Sequence, residues 1–222
     1  MFQSKKFSKR VEMENYRLLD VGNTTATFYK NGKIKTIKVK KFKNIFKNRK
    51  FYYINVNQSL KKRLKKLKNG INLEEYIEED KLYRGLGVDR FVICKAIKNG
   101  VIVDAGSAIT VDIVEKNRHI GGFILLGFSA IKNSYREISK VLEYEEKLDI
   151  DLNSLPQNTN LALNYGVLKS LILPIKEISK GKTIYFSGGD GEKLSKFFKN
   201  SKYDKKLIFK AMKKIIKERN AN

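Results

Sequence analysis

Two stretches of this chain nearly repeat each other. Leu18-Leu19-Asp20-Val21-Gly22-Asn23-Thr24-Thr25-Ala26-Thr27 is echoed by Ile102-Val103-Asp104-Ala105-Gly106-Ser107-Ala108-Ile109-Thr110. Each is an apolar strand, an aspartate, one residue, a glycine, small hydroxyl or amide residues, and a second extended run. The two aspartates stand 84 positions apart. A lone Asp-x-Gly turn joins strands in many proteins. Two copies at a domain-scale interval point instead to duplicated lobes that present paired loops to one nucleotide. The residue types suit phosphate: glycine lets the backbone turn sharply and brings its N–H close to a ligand. Hydroxyls donate to phosphate oxygens. An aspartate at a strand end holds a cation, directly or through water, that offsets phosphate charge.

The chain has 222 residues, room for one large domain or two lobes with a real core. Its 41% apolar and 32% charged residues are those of a globular protein. Cys94 is the single cysteine, which excludes an internal disulfide and fits a reducing compartment. No apolar segment follows the basic N-terminus as a signal peptide would require. The least polar stretch, 121–131, falls far short of the roughly 20 residues of a membrane span. A cytoplasmic location without a membrane partner is expected. The net charge of +24 would suggest nucleic acid, but it is unevenly spread. Residues 1–70 carry +18, 71–190 carry −2, and 191–222 carry +8. In the densest run, Lys61 to Lys68, Leu60, Leu64 and Leu67 recur at helical spacing, which reads as one apolar stripe and a solvated basic face. No nucleic-acid readout module accompanies it, so nucleic acid is not the expected partner.

Strands are expected at 16–21, 25–30, 32–39 and 51–56, with Asn31-Gly32 a hairpin turn. Residues 87–98 read as helical. A second set begins with the strand 101–104 and a hairpin of 107–114 with 119–125. Helical periodicity covers 129–142, 158–178 and 206–218, and 183–186 is a strand that enters the glycine turn Ser187-Gly188-Gly189-Asp190, with Asp190 as helix N-cap. There is no Pro/Gly/Ser linker. The expected partition is an N-terminal extension at 1–13, expected to be disordered, a first lobe at 14–99 with the first phosphate loop, and a second lobe at 100–222 with the second loop and an adenosine-side glycine turn.

With these pieces in order, the chain resembles the type III pantothenate kinases of the actin/hexokinase/Hsp70-like ATPase superfamily. The matching segments are Asp20 to Thr24, Gly87-Val88-Asp89-Arg90, Asp104 to Thr110, His119-Ile120-Gly121-Gly122, Asn158-Thr159 and Ser187 to Asp190. The resemblance covers roughly residues 15–215. It implies an α/β fold of two ribonuclease-H-like lobes, mixed sheets flanked by helices, with a nucleotide cleft between them. It implies ATP-dependent phosphorylation of pantothenate to 4′-phosphopantothenate, the first committed step to coenzyme A, with Mg²⁺, a monovalent cation (K⁺ or NH₄⁺) and a homodimer. By position, Asp20, Val21, Gly22, Asn23, Thr24, Thr25, Ala26 and Thr27 form the first ATP loop, and Ser107 touches ATP. Asp104 is the monovalent-cation ligand. Gly87, Val88, Asp89, Arg90 and Thr159 bind pantothenate, as does Tyr83 as the candidate upstream tyrosine, and Asp89 accepts the proton. Thr27 stands where the family often has lysine, and Ser107 replaces the commoner threonine.

Phosphoryl transfer needs in-line alignment, charge neutralisation and somewhere for the hydroxyl proton to go. Asp89 suits the last role and Arg90, with its planar fork, suits orienting polar groups. The bland alternative puts both in the first turn of a helix, Asp89 favouring the dipole and Arg90 pairing at the surface. His119 reads as a shaper of its hairpin and Cys94 as core, while Asp112 stays open between a second-loop ligand and a solvated strand residue. Two rivals stay open: another small-molecule kinase on the same fold, or a basic nucleic-acid-associated regulator.

Overall fold

The computed structural model describes residues 16–43, 46, 49–77 and 85–221. The N-terminal extension and Tyr83 therefore lie outside the described residues. The chain divides into two compact units, Met1–Ala96 with Leu207–Asn222, and Ile97–Lys206.

The first unit is built on a five-stranded sheet. Its strands are β1 (Arg17–Val21), β2 (Thr25–Lys30), β3 (Lys33–Lys38), β4 (Phe51–Asn55) and β5 (Gly70–Asn72), in the order β3-β2-β1-β4-β5. β1, β2 and β3 are antiparallel neighbours, and β4 and β5 run parallel to β1. The β2–β3 turn is Asn31-Gly32, both at positive φ, which matches the right-handed twist of a tight hairpin. Helix α1 (Gln58–Lys65) lays Leu60 and Leu64 on a core of Leu19, Val21, Phe28, Phe51 and Tyr53. Its lysines face solvent, as the leucine spacing predicts. Helix α2 (Val88–Cys94) is shorter than the 87–98 expected. Helix α6 (Leu207–Ala221) packs on α2 and β1. Phe209 stacks on Tyr29, and Lys213 Nζ donates to the Tyr29 hydroxyl at 2.6 Å. The last helix thus groups with the first unit, whereas the sequence partition carried the second lobe to residue 222. Ile208, Met212 and Ile215 form its buried stripe.

The second unit repeats the plan. Its strands are β6 (Gly100–Ala105), β7 (Ala108–Glu115), β8 (Arg118–Leu126), β9 (Ile184–Ser187) and β10 (Ser201–Tyr203), in the order β10-β9-β6-β7-β8. Read from the other edge, this is the first sheet again: two antiparallel neighbours on one side of the leading strand and two parallel ones on the other. The β6 strand is buried on both faces, as a central strand should be. Helices α3 (Phe128–Ile138) and α4 (Thr159–Ser179) contribute Phe128, Val167, Leu168, Leu171 and Ile175 to a core with Val101, Val103, Ile109 and Val111. A short helix α5 (Gly191–Ser195) follows β9. The three-residue strands β5 and β10 are too short to alternate visibly and have no counterpart among the sequence expectations.

Candidate functional site

In each unit the repeat forms the turn between the leading strand and its antiparallel neighbour. Gly22 N–H donates to Thr25 O at 2.9 Å, and Gly106 N–H to Ala108 O at 3.0 Å, so a glycine N–H closes each turn, three residues on in the first and two in the second. Asp20 and Asp104 are half-buried at the equivalent strand ends, while Asn23, Thr24, Thr25 and Ser107 are exposed. Thr27 has moved on into β2, where its hydroxyl meets that of Thr36 at 3.2 Å.

Different groups hold the two turns. Asn57, buried at the N-cap of α1, donates its amide to Asn23 O at 3.0 Å and accepts from Leu60 N–H at 3.1 Å. One side chain therefore ties the first loop to a helix start. The second loop is gripped by backbone. Gly127 N–H donates to Ser107 O at 3.1 Å, and a Cβ on Gly127 would stand 2.2 Å from Gly106 O. On another side, Gly188, at φ +81°, comes so close that a Cβ would stand 2.3 Å from Ala105 O. The neighbouring Asp190 N–H donates to that same oxygen at 3.0 Å. The glycine turn after β9 thus docks directly on the second repeat. Asp190 occupies the N-cap position of α5, but its side chain makes no cap bond; it lies 3.1 Å from Lys193 Nζ. Lys193 also donates to Glu146 at 2.9 Å, and these contacts, Glu146 first, raise its pKa. Tyr203 Oη donates to Gly188 O at 3.4 Å, and burial, then Glu192, Asp204 and Asp104, raise that phenol's pKa.

Gly87 caps α2 with extended backbone, placing Val88, Asp89 and Arg90 in the first turn. The Asp89 carboxylate accepts from Arg90 N–H at 2.8 Å, and it folds back until it lies 2.6 Å from where a Gly87 Cβ would be. Glycine there gives the carboxylate room. Arg90 is 7% exposed, which rules out the surface-pair alternative. Thr159 is the first residue of α4, exposed beside the capping Asn158.

Sequence reasoning missed Asn57 and Gly127, and it left Asp112 open. That carboxylate is fully buried and lies 2.7 Å from His119 Nε2. The signal for Asn57 was present as an Asn two residues after a strand and three before a leucine, the spacing of a helix cap. Asp112 gave none, because strand alternation does not say which face is covered.

The profile of the type III pantothenate kinase family matches residues 74–180. A type III pantothenate kinase of Campylobacter jejuni is 47% identical over 201 residues, covering 90% of this chain and 96% of the relative. Among solved structures, a conserved Campylobacter jejuni protein described as a Baf family transcriptional activator superposes with a TM-score of 0.82 at 46% identity. That match covers 93% of this chain and all of the other. MreB 5 of Spiroplasma citri, solved with AMPPNP, matches with a TM-score of 0.50 at 13% identity over 93% of this chain and 98% of its own. The last likeness concerns the fold alone, and with the duplicated sheets it gives this chain the same architecture as MreB.

Proposed function

The chain belongs to the type III pantothenate kinase family and carries out ATP-dependent phosphorylation of pantothenate in coenzyme A biosynthesis; from that premise we propose how its residues divide the work. The observation that carries the assignment is the pair of Asp-x-Gly turns at equivalent positions of two identically ordered sheets. The first turn, Asp20 to Thr27, and Ser107 of the second bind the phosphates of ATP. The turn Ser187 to Asp190 backs the adenosine. Pantothenate is bound by Gly87 to Arg90, Thr159 and Tyr83.

Asp20 and Asp104 are half-buried carboxylates, whose hard oxygens coordinate Mg²⁺ or K⁺ and accept hydrogen bonds from NH₄⁺. Asp104 would hold the monovalent ion and Asp20 the magnesium, directly or through water. Bound there, the cations would neutralise triphosphate charge. The chain's own chemistry is proton handling. Asp89 accepts the hydroxyl proton of pantothenate as the phosphoryl group arrives, and the buried Arg90 orients the acceptor. Held by its own helix start, the Asp89 carboxylate has little freedom to turn away.

A homodimer fits the outer face of β8. Ile120, Ile124 and Leu126 lie more than half exposed there, and Ile138 is 72% exposed. A groove of about 340 Å³ lined by Leu126, Ile131, Tyr135, Ile138 and Leu171 continues that patch. It is apolar and suits a protein partner rather than a triphosphate.

The test is a purified-protein assay with ATP, pantothenate and K⁺, read by ADP release. Asp89→Asn is expected to keep ATP binding and lose about 100-fold or more in kcat. Wild-type turnover in that variant would sink the assignment of the base, and equal rates in Na⁺-only buffer would remove the monovalent ion. Negligible turnover of pantothenate beside rapid turnover of a sugar would move the substrate elsewhere.

A further inference from the structure

Lys193 sits where three separate segments of the second unit meet. Its ammonium donates to Glu146, lies 3.1 Å from Asp190 in the glycine turn, and stands 5.8 Å from the ring centroid of Phe128. Phe128 opens α3 immediately after Gly127, whose backbone grips Ser107. Asp190 lies two residues after Gly188, whose backbone presses on Ala105. The contacts run in a closed circuit: from Ala105 to Ser107, across Gly127 to Phe128, through Lys193 to Asp190, and through its N–H back to Ala105. Every link but those through Lys193 is covalent or backbone.

We propose that Lys193 is a positioning residue for nucleotide binding, closing this circuit so that the glycine turn and the Ser107 loop keep one spacing, with Glu146 holding the ammonium in place. This rests on the reading of 187–190 as the adenosine-side turn. Asp190 is not spent as a helix cap, so its carboxylate is available to Lys193. Lys193 pairs with two carboxylates and an aromatic face at once, and its raised pKa, from Glu146 first and Asp190 next, agrees with a held cation. With the ammonium removed, Asp190 and Glu146 would keep their charge and lose their shared cation. The turn would then be held to the Ser107 loop by backbone contacts alone, without the side-chain brace to Phe128. ATP contacts both; pantothenate contacts neither.

Steady-state kinetics of the full chain separate the possibilities. Lys193→Met is expected to raise KM for ATP about fivefold, leaving kcat and the KM for pantothenate within about twofold. Lys193→Arg should restore the KM for ATP. Glu146→Gln should reproduce part of the rise and add little to it in the double variant. An unchanged KM for ATP in Lys193→Met would overturn the proposal. So would an equal rise for pantothenate or failure of arginine to rescue a variant that melts normally. Gly189→Leu tests the underlying reading independently, because a Cβ at Gly189 meets nothing within 4 Å and φ there is not left-handed. If it raises KM for ATP and Lys193→Met does not, the positioning role alone fails. If neither does, the adenosine-side turn fails with it.

Discussion

The β1–β2 loop is held by a side chain and the β6–β7 loop by backbone. Both are closed by a glycine N–H, across one more residue in the first than in the second, and both sit at the same place in sheets of the same order. Yet Asn57 secures one through an amide, while Gly127 and Gly188 secure the other by approaching closer than any Cβ allows. The edge strands diverge as well. β3 carries Lys33, Lys35 and Lys38, a common way to keep an exposed edge from pairing with other chains. β8, the matching edge of the second sheet, leaves isoleucines and a leucine on its outer face. The duplication conserved topology and let each copy solve its local problems with different residues. This edge and α1 together hold seven of the first unit's basic residues.

The largest expected effect sets the glycines against each other. Gly188→Ala places a Cβ against Ala105 O at a left-handed φ and should cost more than about 3 kcal/mol, or prevent folding outright. Gly22→Ala meets only Thr25 O at 3.5 Å and should cost less than about 1 kcal/mol. Thermal melts of the two variants would break the contrast if they shifted equally.

The edge comparison comes next. Replacing Ile124 and Leu126 together by aspartate should turn a dimer into a folded monomer by light scattering, whereas Lys35→Glu on β3 should leave the mass unchanged. A dimer that survives the aspartates places the interface elsewhere. Asn57→Ala removes the cap and the tie to Asn23. It should cost about 1–2 kcal/mol and weaken ATP binding more than pantothenate binding.

What was legible in advance followed from chain-local signals. Asp20, Gly22, Asp104 and Gly106 stood out because sequence repetition marks equivalent backbone, and Asn31-Gly32 specified its turn through φ alone. The hairpin of 107–114 with 119–125 is read from its two extended runs rather than from a turn signal. Lys116 and Asn117 adopt positive φ there without a glycine, supported by Asn99 accepting from Lys116 N–H at 2.8 Å. Gly127 and the Asp112–His119 pair depend on what lies across space, and no local pattern encodes that. The last helix was predicted as a helix but not assigned to its unit, because an apolar stripe says that a helix packs without saying on what.

The smallest expected effect is in pH. Burial, and then Glu146 and Tyr135, raise the Tyr144 pKa above its ordinary value of about 10. The folded state therefore keeps that proton longer than the unfolded chain. The resulting stability is fully present below pH 10 and is lost as pH climbs through the folded value. Tyr53 in the first unit shifts the same way, by burial and then by Glu75 and Glu74. Tyr144→Phe should flatten the fall in Tm above pH 10 slightly, and an identical slope would assign the fall to other groups.

Because α6 closes the first unit, that unit is written in two separate segments of the chain with all of 97–206 inserted between. A ribosome that has released residues up to 206 has delivered every strand of both sheets but not the helix that Tyr29 and β1 await. The unit begun first is finished last, and a stop codon just before 207 would leave β1 and α2 without the helix that closes them.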